Sequence, residues 1–161
     1  MDAPAYILND GKGLGDLGLE RFICDAAILD LTHKEPGQPV DDEDLEAAEE
    51  AAGLALREGE AAILYTGVES IPQNENVYLS QNGAEYLEFK GLGLVGIDSA
   101  SIDPFGSAEL VAHRVLLGKE ILVLEGLRNL GCVESTRFRL YAMPIRLEGA
   151  TAPVRAVAMI D

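Results

Sequence analysis

His113 and Glu125 are the residues of this sequence whose types and spacing could do chemistry together. The histidine lies in a run where Leu110, His113, Leu116 and Leu117 recur at intervals of three and four, so they share one face of a helix. The glutamate, twelve residues further on, ends the apolar run ILVL at 121–124, where a buried strand would have preferred another aliphatic residue. Neutral imidazole and carboxylate are ligands for zinc or manganese, and a hydrolytic site needs such ligands plus an open position for water. The spacing is not a specific motif, and a plainer arrangement fits it too. In that arrangement a histidine among leucines is a hydrogen-bonded core residue, while Glu125 caps a loop or pairs with Arg128.

The elements that must position this pair occupy 91–130. A buried strand over 92–97 empties into a polar turn, 98–103, which Pro104 and Gly106 keep out of regular structure. Ser99, Ser101 and Asp103 lie in that turn and could line a cleft, although residues of this type also satisfy local backbone groups. Ser107 is the expected N-cap of the histidine helix and Gly118 its stop, and a strand over 121–124 delivers Glu125.

Upstream, 2–15 holds Pro4, Asn9, Asp10 and three glycines, and is expected to be loop with a short extended piece at 6–8. A helical turn over 17–21 precedes an apolar strand over 26–31. The turn region 32–40 carries an exposed His33. Acids crowd the first turn of a helix expected over 41–57, where they favour the macrodipole, with Leu45, Ala48, Ala52 and Leu56 on its inner face. A strand over 61–65, a polar loop over 66–76 and a helix over 80–89 follow, with Ala84, Leu87 and Tyr86 inward. Two strands, 137–145 and 154–160, close the chain. Strand and helix alternate, so the expected class is α/β with a mixed β-sheet and flanking helices.

Length and composition are consistent with one domain spanning 1–161. The chain is 48% hydrophobic but only 6% aromatic and lacks tryptophan, which describes an aliphatic core. Its net charge of −16 argues against nucleic acid or an anionic membrane as partner, because binding phosphate requires clustered lysine and arginine. Cys24 and Cys132 are too few and too far apart for a disulfide framework or a CxxC site, which points to reduced thiols and a cytoplasmic protein. No stretch approaches the roughly 18 apolar residues of a membrane span. The glycines of GKGLGDLG follow no strand and do not make a nucleotide loop.

Several segments, in order, carry a resemblance: MDAPAYILNDGKGLGDLGLERF, AILDLTHKEPGQPVDDEDLEAA, LYTG at 64–67, VGIDSASIDP, AHRVLL followed by ILVLEGLRNL, and RLYAMPIRLEGATAPVRAVAMI. Together they resemble the cyclase family of metal-dependent hydrolases, which includes kynurenine formamidases and isatin hydrolases. The resemblance implies a swivelling β/α/β-like fold lacking the strands that family chains carry ahead of this point, so that a sheet edge or apolar face would need covering. It also implies Zn2+ or Mn2+, a small-molecule amide, formamide or cyclic amide as substrate, and a homo-oligomer. The family's metal motif, HxGTHxDxPxH, is matched here by Asp2 and Pro4, and the family's later ligands by His113 and Glu125. The two histidines before the aspartate have no counterpart in the sequence, and the last histidine, the family's general base, is Tyr6. A phenol with a reference pKa of about 10 can donate a hydrogen bond to an oxyanion but is a poor base. Asp2 next to the first residue would be conformationally free unless something ties it down. Two classes of function therefore stand open: an amide hydrolase with a reduced metal site, or a non-catalytic scaffold that keeps the fold without the chemistry.

Overall fold

Residues 1–68 and 73–160 are described by the computed structural model, so the polar loop expected over 66–76 lies partly outside the described residues. Among the described residues there are eight strands: β1 (Ile23–Asp30), β2 (Pro39–Val40), β3 (Ala61–Tyr65), β4 (Tyr78–Leu79), β5 (Leu94–Ile97), β6 (Leu122–Leu124), β7 (Arg137–Tyr141) and β8 (Val157–Met159). Three α-helices among the described residues connect them: α1 (Asp42–Ala51), α2 (Gln81–Phe89) and α3 (Val111–Leu117). Six strands form one mixed sheet in the order β6-β5-β3-β1-β7-β8, and β2 pairs with β4 separately. The four strands β1, β3, β5 and β6 run parallel, while β7 and β8 close the sheet antiparallel. This is the mixed α/β architecture that the alternation of elements predicts.

Because each successive parallel strand is added on the same side, the crossover helices all lie on one face. There, Leu45 and Ala48 of α1, Ala84 and Leu87 of α2, and Ala112, Leu116 and Leu117 of α3 pack on Leu29, Leu64, Val95, Ile97 and Val123. The opposite face, with Ala26, Ile63, Leu94, Leu122 and Phe138, is covered by loop residues such as Ala3, Leu14, Phe22, Leu127 and Ala152.

Several boundaries differ from expectation for identifiable reasons. Helix α1 ends at Ala51 rather than 57 because Gly53 takes φ 61° and closes a Schellman motif, with Gly53 N–H donating to Glu50 O and Leu54 N–H to Glu49 O. Leu56 remains buried, but from a segment outside helix and strand. The piece at 6–8 is not extended; Pro4 opens a 3-10 turn over Pro4–Tyr6, its fixed φ suiting the first position of a helix. Ser107 does not cap α3, which begins four residues later behind Leu110 at φ 48°. Ser80 does cap α2, accepting the Gly83 N–H at 3.1 Å. The closing strands are shorter than expected, and β8 is an outer edge whose Val157 and Met159 are exposed.

The other outer strand, β6, is not left bare. Asp2 bridges it antiparallel: Asp2 N–H donates to Val123 O at 2.8 Å and Val123 N–H to Asp2 O at 3.2 Å. On its other side Ala3 N–H reaches Ala150 O, and Met1 and Ala152 exchange hydrogen bonds. The first residues are thus held as a strand between β6 and the closing segment, which corrects the expectation of a free Asp2.

Candidate metal centre

Parallel strands end on the same side of the sheet, and residues just past their carboxyl ends converge there. Asp98 follows β5 and Glu125 follows β6. Asp98 is consumed locally, since its carboxylate accepts from Thr66 N–H at 3.0 Å, Thr66 Oγ1 at 2.6 Å and Gly67 N–H at 2.8 Å, tying the end of β3 to β5. Glu125 keeps spare capacity. Its Oε1 accepts the Ile102 N–H at 2.7 Å, and the side chain turns toward the bridge that Asp2 makes with β6.

Helix α3 packs over β6 and delivers His113, which is 2% exposed. The imidazole Nε2 lies 3.7 Å from Asp2 Oδ2 and 3.5 Å from Glu125 Oε1. Both distances are too long for hydrogen bonds, and Nε2 is a buried polar atom with no partner. Among the described residues, Asp2, His113 and Glu125 form the one cluster of ligand-type side chains with donor atoms all within 4.8 Å of one another. Neighbouring ligands of a tetrahedral zinc with bonds of about 2.0–2.2 Å stand about 3.3–3.6 Å apart, close to the two distances from His113 Nε2, so the donor set fits a divalent cation in chemistry and, at the histidine, in spacing. The acidic run of α1 makes no such cluster.

The other imidazole nitrogen is engaged. His113 Nδ1 is 2.5 Å from Asp103 Oδ2. Burial disfavours the imidazolium, yet the Asp103 and Asp2 carboxylates and the charge of Glu125 outweigh it and push His113 up to about 9. Burial raises the Glu125 carboxyl above its ordinary range despite the Ile102 N–H and His113. Asp103 moves the other way: its burial is outweighed by hydrogen bonds from the His113 ring and the Ala112 and His113 amides. Without metal the imidazole is thus protonated near neutral pH, and a divalent ion would take the place of the Nε2 proton between Asp2 and Glu125.

Tyr6 lies at the rim, 44% exposed, with its ring centroid 5.3 Å from that of His113. Burial and the charges of Asp2, Glu125 and Asp103 all raise its phenol, which stays protonated near neutral pH. Of the turn residues, Ser99 donates its hydroxyl to Val77 O at 2.6 Å and is buried, and Ser101 Oγ accepts the Asp103 N–H at 3.2 Å and helps hold Glu125 ionised. Arg128 does not pair with Glu125; it donates to the Asp98 and Leu127 carbonyls. One contributor had no signal in spacing. Asn76 pins the turn, its Nδ2 donating to the Ser101 and Asp103 carbonyls at 2.9 Å each and its Oδ1 accepting the Phe105 N–H at 3.0 Å.

The Cyclase family model matches residues 1–104. The chain belongs to the Cyclase family. It is 32% identical over 162 residues to the kynurenine formamidase of Salinibacter ruber, a match covering 98% of this chain and 72% of that relative. A protein from Bacillus stearothermophilus described as a predicted metal-dependent hydrolase is similar in structure, with a TM-score of 0.77 and 25% identity over 98% of this chain and 73% of that one. The fold also matches isatin hydrolase A from Labrenzia aggregata at a TM-score of 0.87 and 19% identity, over 99% of this chain and 71% of that one. The six-stranded sheet with its three helices is therefore a cyclase fold. No helix among the described residues is long and apolar enough to cross a membrane.

Proposed function

We propose that this cyclase-family chain hydrolyses a small amide, with an aryl formamide as the first candidate and a cyclic amide as the second, using zinc or manganese held by Asp2, His113 and Glu125. The observation that carries this reading is the His113 Nε2 atom, which is buried, unpartnered and faced by two carboxylates. No hydrogen bond of ordinary length reaches that nitrogen, and a ligated cation would take the place of its proton between the two carboxylates. The identity to a kynurenine formamidase supports the formamide class. The net charge of −16 disfavours nucleic acid.

When bound, a divalent ion supplies Lewis acidity toward a carbonyl and lowers the pKa of water toward neutrality. The residues of the chain do the rest. Tyr6, protonated and at the rim, is placed to donate a hydrogen bond to the oxygen on which charge develops when the amide carbonyl is attacked. The bridge to β6 and the Ile102 N–H hold the Asp2 and Glu125 carboxylates in place, so little ordering remains to be done on binding.

The test is turnover of N-formylkynurenine and of isatin by protein reconstituted with Zn2+ or Mn2+, beside Glu125→Ala. Metal-dependent turnover in the parent, absent from the variant, is the expected result; equal turnover in both would overturn the site. A non-catalytic scaffold is the second reading, favoured by the protonated phenol where the family has a base. Stoichiometric metal without turnover of either class of amide would support it. We also propose that a second copy covers the exposed Met143, Ile145, Leu147, Val157 and Met159 of the closing segment. Light scattering giving a monomer mass would refute that association.

A further inference from the structure

Asp103 is 1% exposed, and its carboxylate accepts hydrogen bonds from the first turn of α3. Oδ1 accepts the Ala112 N–H at 2.8 Å; Oδ2 takes the His113 N–H at 3.2 Å and the ring Nδ1 of the same residue at 2.5 Å. We infer that Asp103 is the positioning residue of the metal centre, holding His113 by backbone and ring together so that Nδ1 carries the proton and Nε2 presents its lone pair toward Asp2 and Glu125. This inference rests on the metal reading above and names the residue on which its histidine depends.

The argument is one of available partners. An ionised carboxylate accepts and cannot donate, so the ring nitrogen it faces must be the one bearing hydrogen. The other nitrogen of a neutral imidazole then has the free lone pair that a metal requires. Two contacts at Oδ2, to the main chain and to the ring of one residue, also fix the ring's rotation. Asp103 is itself immobilised: its carbonyl accepts from Asn76, its N–H donates to Ser101 Oγ, and Pro104 restricts the chain after it. Leu110, a non-glycine residue in the left-handed region at φ 48°, turns the chain so that the amides of α3 meet this carboxylate. Capping a helix would account for the two amide contacts. It does not account for the contact to the ring.

Asp103→Asn keeps the cap at Ala112 and changes the contact to the ring. With its oxygen in the place of Oδ1 the amide can still cap Ala112, but the NH2 in the place of Oδ2 no longer accepts the His113 N–H and donates toward the ring, which puts the imidazole proton on Nε2, where it obstructs metal. The expected result is an unchanged circular dichroism spectrum with Zn2+ affinity, read by competition with a chromophoric chelator, reduced about 10–100-fold. Equal affinity in parent and variant would overturn the inference while leaving the metal site standing. A parent that binds no Zn2+ would overturn the metal reading and the inference with it. Should Asp103→Asn fail to fold, 15N-detected imidazole spectra of the Zn2+-loaded parent decide, with exposed His33 as internal reference. Metal on Nε2 and a proton on Nδ1 support the assignment, and metal on Nδ1 overturns it.

Discussion

Two ionisable clusters sit on the helical side of this sheet, and they are built to opposite ends. Around Glu49 of α1 every charge is answered: Tyr86 donates its hydroxyl to Oε1 at 2.6 Å, the Leu56 N–H donates to Oε2 at 2.8 Å, and Lys90 lies 3.1 Å from Oε1 with its ammonium 4.7 Å from the Tyr86 ring centre. Around His113 three carboxylates surround one imidazole, and its Nε2 has no partner. The first cluster staples α1 to α2 and to the segment after α1, and needs nothing more. The second, at the carboxyl ends of the parallel strands, gathers two carboxylates about a nitrogen where a metal ion can replace a proton. A satisfied buried network holds a fold together, whereas an unsatisfied one costs stability and marks a site.

The largest effect that sharpens this contrast is on catalysis. Glu125→Ala should lower metal-dependent amide hydrolysis by about a thousandfold, the several kcal/mol of charge stabilisation that a bound metal supplies, whereas Glu49→Gln should leave turnover unchanged. Steady-state kinetics on both variants checks this. Next comes Tyr6→Phe, which removes one hydrogen-bond donor at the rim; a fall in kcat of about 10–100-fold with KM little changed is expected, smaller than for a fully enclosed oxyanion donor because Tyr6 is partly exposed. An unchanged kcat would reduce Tyr6 to a packing residue.

Stability should discriminate in the opposite sense. Saturating metal at about 100 times its Kd adds about 2.7 kcal/mol, seen as a raised melting temperature in the parent and in Glu49→Gln alike, but not in Glu125→Ala. The smallest effect is on pH dependence. The Glu49 carboxyl is held below its ordinary value: burial raises it, but the Tyr86, Leu56 and Lys90 donors more than compensate. Its contribution is therefore present above the unfolded value of about 4.3 and is lost as pH falls through the folded value. The gap in melting temperature between the parent and Glu49→Gln should narrow between about pH 6 and about pH 3, and a gap that widens would contradict the assignment.

His113 and Glu125 were readable as a pair because helical periodicity sets one inward and an acid at the end of an apolar run sets the other. The α/β class with a mixed sheet followed from the alternation of strand and helix. What spacing did not reveal depends on partners remote in sequence. The start of α3 departs from the local signal at Ser107 because its amides are capped by Asp103, nine and ten residues before those that donate to it. The end of α1 carried a local signal in Gly53, which the helical spacing of Leu56 obscured. Asp2 gave no sign of its anchoring, since a bridge to Val123 spans most of the chain. Asn76 was invisible for the same reason: it acts on carbonyls 25 and 27 residues away.

The most direct test of the central claim is elemental analysis of purified protein after exposure to Zn2+ and Mn2+ and removal of free metal, with His113→Ala and Glu49→Gln treated alongside. A cation drawn in by the unsatisfied cluster predicts near-stoichiometric metal in the parent and in Glu49→Gln, and none in His113→Ala. Metal absent from the parent, or retained in full by His113→Ala, would contradict it.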